Sequence, residues 1–201
     1  MSAETDISFS VVIPVYNGSA TVCRAVNSAL NQTKRPLEII VSDDCSTDDT
    51  ISLLQSTFGS RITVLNAMQN KGSAAARNRG MDAARGSYVA FLDADDEWHE
   101  QKLEQCALAL QMQPRATLLY HSYRLYTDVQ PAFPLAVEPR ALSMYRLLKG
   151  NCIVTSCAVL RLDSDYRFDA RMRHTEDYDL WLRITSGGGV FEIPHTLTML
   201  H

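Results

Sequence analysis

Two acidic groups have the residue types and spacing to do chemistry: Asp43-Asp44 and Asp93-Ala94-Asp95-Asp96. Carboxylates crowded this closely repel one another, so they need a cation or hydrogen-bond donors among them. A D-x-D spacing can give one carboxylate to a hard cation such as Mg²⁺ or Mn²⁺ and leave the other for a neighbouring hydroxyl. Mg²⁺ usually takes only one or two protein carboxylates, with phosphate oxygens and water completing its shell. Many solvated turns carry the same spacing. Two features lift this one: the strand-like Tyr88-Val89-Ala90-Phe91-Leu92 directly before it, and the second acidic pair at the end of another predicted strand.

Those positions depend on the elements around them. The β-branched run at 9–15 predicts a buried strand, and Val22, Ala25, Val26, Ala29 and Leu30 then recur on one helical stripe. Residues 37–41 predict a second strand ending at Ser42-Asp43-Asp44. Ser46-Thr47-Asp48-Asp49 resembles a capping box opening a helix with Ile51, Leu54 and Phe58 facing inward. A third strand is expected at 62–65, an Ala-rich helix at 73–85 stopped by Gly86, and a fourth strand at 88–92. Leu103, Cys106, Ala107 and Leu110 mark one face of a further helix.

Alternating strands and helices predict an α/β fold, a mostly parallel central sheet flanked by helices. Beyond it the spacing predicts a proline-bearing surface loop at 127–140, a short helix at 142–148 and a strand at 152–160. A compact helix at 176–184, stopped by Gly187-Gly188-Gly189, and a last short strand at 190–193 complete the chain. Ligands of open parallel sheets bind at the carboxyl ends of the strands, where the aspartates lie.

Composition sets the outer limits. At 201 residues, 46% hydrophobic and 21% charged, the chain fits one globular domain without low-complexity tracts. A net charge of -4 argues against a nucleic-acid partner. The five scattered cysteines include no C-x-x-C pair and predict small buried side chains in a reducing compartment. Glu4 and Asp6 stand where a secretory leader would be basic, and no stretch approaches the ~18 apolar residues of a membrane span. The expectation is a cytoplasmic protein, with peripheral attachment at the inner face of the membrane still compatible. Neither G-x-G-x-x-G nor G-x-x-x-x-G-K-[ST] occurs, so a dinucleotide-dependent dehydrogenase and a P-loop phosphotransferase lack their phosphate loops.

Five segments in order then carry a resemblance. They are Val11-Val12-Ile13-Pro14-Val15-Tyr16-Asn17; Ile40-Val41-Ser42-Asp43-Asp44-Cys45-Ser46-Thr47-Asp48; Asn70-Lys71-Gly72 through Ala76-Arg77-Asn78-Arg79-Gly80; Phe91-Leu92-Asp93-Ala94-Asp95-Asp96; and Thr175-Glu176-Asp177-Tyr178-Asp179-Leu180-Trp181. Together they resemble the family 2 glycosyltransferases, inverting enzymes of the GT-A (Rossmann-like) fold that use nucleotide-diphosphate sugars. Cys45 departs from the family, which more often has Gly there; by its small size the change is minor.

The resemblance implies one GT-A domain over 1–201, with a nucleotide-binding half at 1–96 and an acceptor-side half at 97–201. It implies that Pro14, Val15, Tyr16 and Asp44 hold the base, with a UDP-sugar as the favoured donor, and that Lys71 contacts the nucleotide. Asp93 would accept from the ribose, and Asp95 would be the ligand of Mn²⁺ or Mg²⁺. Asp177 would be the catalytic base with Glu176 supporting it, and a saccharide or lipid-linked acceptor would supply the hydroxyl. Such chains serve surface polysaccharide or glycolipid synthesis. The chain is short for the family, which often places acceptor-binding or membrane-docking segments beyond this point.

Other residues draw plainer readings. Trp181 packs its helix, His174 and His201 are surface residues, and Arg77 and Arg79, two apart on a helix, point to different faces as structural or solvated groups. Asn151, Thr155 and Ser156 are candidates for a donor-sugar pocket. Two rival functions are a sugar-phosphate nucleotidyltransferase, which would want a basic Gly-rich loop after the first strand, and a non-catalytic nucleotide-sugar-binding subunit.

Overall fold

The structure, a computed structural model, describes residues 7–126 and 138–201. The loop expected at 127–140 lies, through residue 137, outside the described residues, as do Glu4 and Asp6.

The first half alternates as its apolar pattern requires: β1 (Phe9–Val15), α1 (Val22–Leu30), β2 (Glu38–Asp43), α2 (Thr50–Phe58), β3 (Thr63–Asn66), α3 (Ser73–Ala83) and β4 (Tyr88–Phe91). The second half holds β5 (Glu97–Trp98), α4 (Lys102–Met112), β6 (Leu118–Leu125), β7 (Arg140–Ala141), α5 (Met144–Leu148), β8 (Ala158–Arg161), α6 (Glu176–Gly187) and β9 (Val190–Leu200). One sheet runs in the order β3-β2-β1-β4-β8-β6-β9-β5, and β7 pairs with β9. It is parallel from β3 through β4, and β6 and β9 are also parallel; β8, β5 and β7 join antiparallel.

Side chains alternate across a strand, so β1 feeds two layers. Phe9, Val11, Ile13 and Val15 pack with α1, α2 and α4 on one face; Val12 packs with α3 and α6 on the other. Both faces being covered, β1 is apolar throughout. Gly80 lets α3 lie against β1, since a Cβ there would meet a Val12 methyl at 2.4 Å. That contact seats α3 over the carboxyl end of the sheet.

Several local expectations change. No capping box forms: Asp49 occupies the N-cap of α2 without a side-chain bond, and Asp48 Oδ1 accepts the Thr50 amide instead (3.0 Å). Gly86 does not stop α3, which ends at Ala84 in an extended conformation. Its missing side chain serves a close approach, because a Cβ would lie 2.7 Å from the Ser10 backbone nitrogen.

The strand expected at 152–160 shortens to β8, preceded by a 3₁₀ turn at Thr155–Cys157. The carbonyls of Ile153 and Ser156 are taken by the indole N–H groups of Trp181 (3.1 Å) and Trp98 (2.9 Å), so they are not offered to a ladder. The final strand reaches Leu200 instead of ending at Ile193. Its register jumps from His121–Ile193 to Ser122–Thr196, and this irregularity accommodates Pro194, which has no N–H for the ladder.

Candidate active site

The parallel register brings the carboxyl ends of β1, β2 and β4 to one rim. Val15 is level with Asp43, the Asp44 amide donates to the Val15 carbonyl (2.8 Å), and the Leu92 amide donates to the Val12 carbonyl (3.1 Å). A cavity of about 370 Å³ opens there. Pro14, Val15, Tyr16, Asp44, Arg77, Asp93 and Asp95 line it, so six of the seven residues expected at the nucleotide meet in one place. Tyr16 leaves its ring half-exposed over that space.

Asp44 is buried and locked. Its Oδ2 accepts the amides of Lys71 (2.9 Å) and Gly72 (2.6 Å), while Oδ1, buried without a hydrogen-bond partner, lies 3.7 Å from Arg79 Nη2. Lys71 therefore contributes through its backbone; its side chain is exposed and outside the lining of the cavity. Asp43, also buried, accepts the Ser46 amide (3.0 Å) and shapes the turn. That turn runs through Cys45 at φ +69°, and the facing loop through Asn17 at φ +51°. The position where the family favours Gly is left-handed, so backbone conformation, not side-chain size, is what Cys45 strains against.

A second space of about 290 Å³ adjoins the first. Asn151, Ile153, Val154, Thr155, Glu176 and Asp177 line it, and Arg77 and Asp93 line both. Arg77, only 6% exposed, donates to Asp93 Oδ1 (2.7 Å) and to Glu176 Oε1 (3.2 Å), with its guanidinium over the Phe168 ring. Ser73 Oγ donates to the same Glu176 oxygen (2.6 Å). Burial alone would raise the Glu176 pKa, but bonds from Ser73 and its own backbone, with the Arg77 charge, hold it below the usual range. Burial likewise pushes Arg77 down, and the carboxylates around it, Asp93 foremost and then Glu176 and Asp177, together raise it above its ordinary value.

Asp177 is half-buried at the start of α6, its Oδ2 accepting from Asn151 Nδ2 (2.9 Å) and its Oδ1 from the Tyr178 amide (2.7 Å). The preceding Thr175 is left-handed, at φ +60°. Such strain persists only where surrounding structure enforces it, and all three positive-φ non-glycine residues among those described border this rim.

For Arg77 the sequence left open a structural or a solvated role, and the structure gives it the structural one. Arg77 and Arg79 do diverge, but neither is merely solvated: Arg79 holds the Asp43 carbonyl (2.7 Å) and Ser42 Oγ (3.1 Å). The available signal was Ser73-x-x-x-Arg77, an i, i+4 pair sharing one helix face. Asn78 fixes the chain leading to α6 through reciprocal bonds with the Phe168 backbone (2.8 and 3.0 Å). Of the three pocket candidates, Asn151 and Thr155 line the second space, whereas Ser156 is fully buried beneath it. Trp181 is buried as expected; His174 is exposed, and His201 stacks on Tyr126 with ring centroids 4.6 Å apart.

The rim's donors fit a hard divalent cation. Asp95 is exposed at the cavity, its backbone carbonyl held by Arg24 (2.6 Å), and Asp93 has one carboxylate oxygen beyond the one Arg77 holds. Among the described residues no three His, Cys, Asp or Glu side chains converge as a complete cage. One or two carboxylates suffice for a cation whose other ligands are phosphate oxygens and water. Asp96 turns inward, and burial raises its carboxyl pKa to about 6 despite the Ser156 hydrogen bond.

A parallel α/β half with an acidic rim, joined to a mixed half carrying a second acidic site, defines a single domain of the GT-A type. The sequence profile of glycosyl transferase family 2 matches residues 10–167, and the chain belongs to that family. The amylovoran biosynthesis glycosyltransferase AmsB of Erwinia amylovora is 34% identical over 202 residues, covering 92% of this chain and 66% of that protein. The putative teichuronic acid biosynthesis glycosyltransferase TuaG of Bacillus subtilis is 34% identical, with 89% and 72% covered. The UDP-Glc:alpha-D-GlcNAc-diphosphoundecaprenol beta-1,3-glucosyltransferase WfgD of Escherichia coli is 32% identical, with 94% and 74% covered.

Residues 1–349 of S. aureus TarS, crystallised with UDP, superpose with a TM-score of 0.80 at 20% identity, covering 96% of this chain and 60% of that one. This likeness shows the fold. The chain spans about two thirds to three quarters of the length of these curated relatives. The family match ends nine residues before Glu176, so the roles of Glu176 and Asp177 rest on the second cavity.

Proposed function

We propose that this chain is the catalytic domain of an inverting, metal-dependent glycosyltransferase. It transfers a sugar from a nucleoside diphosphate donor, a UDP-sugar, to a hydroxyl of a saccharide or lipid-linked acceptor, in the synthesis of a surface polysaccharide or glycolipid. The observation that carries this reading is the pair of adjoining cavities sharing Arg77 and Asp93. A donor diphosphate and a proton acceptor can thereby meet at one carbon. The relatives support it: TarS is crystallised with UDP and with UDP-GlcNAc, and WfgD is named for a UDP-Glc donor and a diphosphoundecaprenol-linked acceptor.

The chain's residues divide the work by position. Tyr16 offers its ring to the base. Asp44, which lines the first cavity, accepts an N–H from the base edge, as the imide N–H of uracil supplies. Asp93 accepts from the ribose with the oxygen that Arg77 leaves open. Asp95 holds Mn²⁺ or Mg²⁺, which when bound neutralises charge developing on the departing diphosphate.

Asp177, oriented by Asn151, takes the proton of the acceptor hydroxyl as the new bond forms, a role typically worth ~10²–10⁴ in rate. Glu176 remains ionised between Ser73 and Arg77 and holds the start of α6 in place. Attack from the Asp177 side, opposite the diphosphate, inverts the anomeric carbon.

No helix among the described residues is long and apolar enough to cross a membrane. A cytoplasmic location with access to the inner membrane face fits a lipid-linked acceptor. The test is a thermal-shift panel of nucleotide sugars with and without Mn²⁺, followed by transfer and hydrolysis assays on each hit. Metal-dependent donor binding with turnover supports the reading; donor binding without transfer or hydrolysis leaves a binding subunit and sinks it.

A further inference from the structure

Asp93, Ala94, Asp95 and Asp96 form a tight turn, closed by the Asp96 amide donating to the Asp93 carbonyl (3.1 Å). The side chain of Ser156, 63 residues away and fully buried, touches both ends of it. Its hydroxyl donates to Asp96 Oδ2 (2.5 Å) and accepts the Asp93 amide (3.0 Å). The single hydroxyl proton is committed to the carboxylate, so its lone pairs are left for the amide and the direction of both bonds is fixed.

Ser156 is itself anchored. Its carbonyl accepts Trp98 Nε1 from β5 (2.9 Å) and Thr198 Oγ1 from β9 (3.2 Å). Its neighbours Val154 and Thr155 line the second cavity, where Asp177 lies. One side chain thus ties the first and last residues of the acidic turn to the wall of the acceptor side.

We propose that Ser156 is a positioning residue: its hydroxyl clamps the turn so that Asp95 presents its carboxylate to the cation of a donor diphosphate. The inference deepens the metal-dependent reading above and rests on it. Freed of the clamp, the turn keeps its sequence and charge but not its aim, and a carboxylate displaced by an ångström loses most of its value as a hard-cation ligand. The base-holding side, Tyr16 and Asp44, follows directly on the ends of β1 and β2 and makes no hydrogen bond to Ser156.

The test is calorimetric titration of UDP into the full chain and into Ser156→Ala, with and without Mn²⁺, and Mn²⁺ electron paramagnetic resonance on the same samples. In the variant the affinity gained from Mn²⁺ falls at least tenfold, and metal-free UDP affinity stays within twofold of the parent. A Mn²⁺-dependent gain within twofold of the parent overturns the proposal. So does an equal loss with and without metal, the mark of a general structural role.

If Ser156→Ala does not fold, Ser156→Cys, near-isosteric with a weaker donor, is judged by the same two criteria. A parent chain that binds UDP with no gain from Mn²⁺ overturns the metal-dependent reading and this inference together. Failure in the variants alone overturns only the inference.

Discussion

Arg77 and Glu176, 99 residues apart, meet at 3.2 Å, and through this contact α6 and its Asp177 are fixed against the nucleotide rim. Replacing Arg77 with Ala leaves Glu176 and Asp93 partly buried without their counter-charge. Breaking a buried pair from one side costs about 3 kcal/mol or more. Arg77→Lys keeps the charge but cannot reach two carboxylates in different directions, so kcat/KM should fall about 100-fold with a smaller loss of stability. Urea unfolding and steady-state kinetics on both variants check this.

Asp177→Asn removes the proton acceptor and nearly preserves shape. Transfer should drop by roughly 10²–10⁴ while the UDP affinity measured by titration is unchanged. Full activity in this variant would remove Asp177 from the chemistry.

Asp95→Ala should act at the other end of the reaction. Mn²⁺ should no longer strengthen UDP binding, and metal-free affinity should persist through Asp44 and Tyr16. Calorimetry with and without the cation separates the two outcomes.

Cys45 at φ +69° pays a left-handed penalty of ~1–2 kcal/mol that Gly escapes. Gly gives back about 0.5–1 kcal/mol in chain entropy, so Cys45→Gly should stabilise the domain by up to about 1.5 kcal/mol. At that upper end the gain corresponds to about 3–6 °C in Tm for a domain of this size. Cys45→Ala, with the same backbone constraint, should gain nothing in the same melt.

His121 is buried, and burial first, then the nearby Lys102 charge, lowers its pKa to about 3. Lys102, also fully buried, lies 3.4 Å above the Trp98 ring with its own pKa lowered by burial to about 8. Because the folded His121 pKa lies below the unfolded value, the unfolded chain binds the proton first as pH drops. The stability its neutral form contributes is therefore complete above about pH 6.5 and lost progressively toward pH 3. Near pH 5 this proton alone should give a slope of about 1.4 kcal/mol per pH unit. Urea titrations at pH 7, 6 and 5 should show a slope shallower by one proton in His121→Phe.

The parallel half was legible because each element announces itself locally. An apolar run buried on both faces, a helical stripe and an acidic strand end are short-range patterns, and β1, α1, β2 and β4 fall within a residue or two of where they are expected. The mixed half was less so. β6 carries exposed residues at its far end, and β9 contains a proline that its bulge tolerates, so neither has a clean period. The 3₁₀ turn at Thr155–Cys157 arises because two tryptophan indoles from distant elements take nearby carbonyls, which no local window contains.

Residue types and spacing alone determined that acidic side chains gather where parallel strands end, since period and strand polarity are local properties. They also put Asp177 at the start of a helix. Only the tertiary structure decided that Arg77 joins Asp93 to Glu176, that Lys71 serves through its amide, and that Ser156 lies beneath the acidic turn. Each of these depends on a distance between residues far apart in the chain, and such distances are set by how α3, β8 and α6 pack across the sheet.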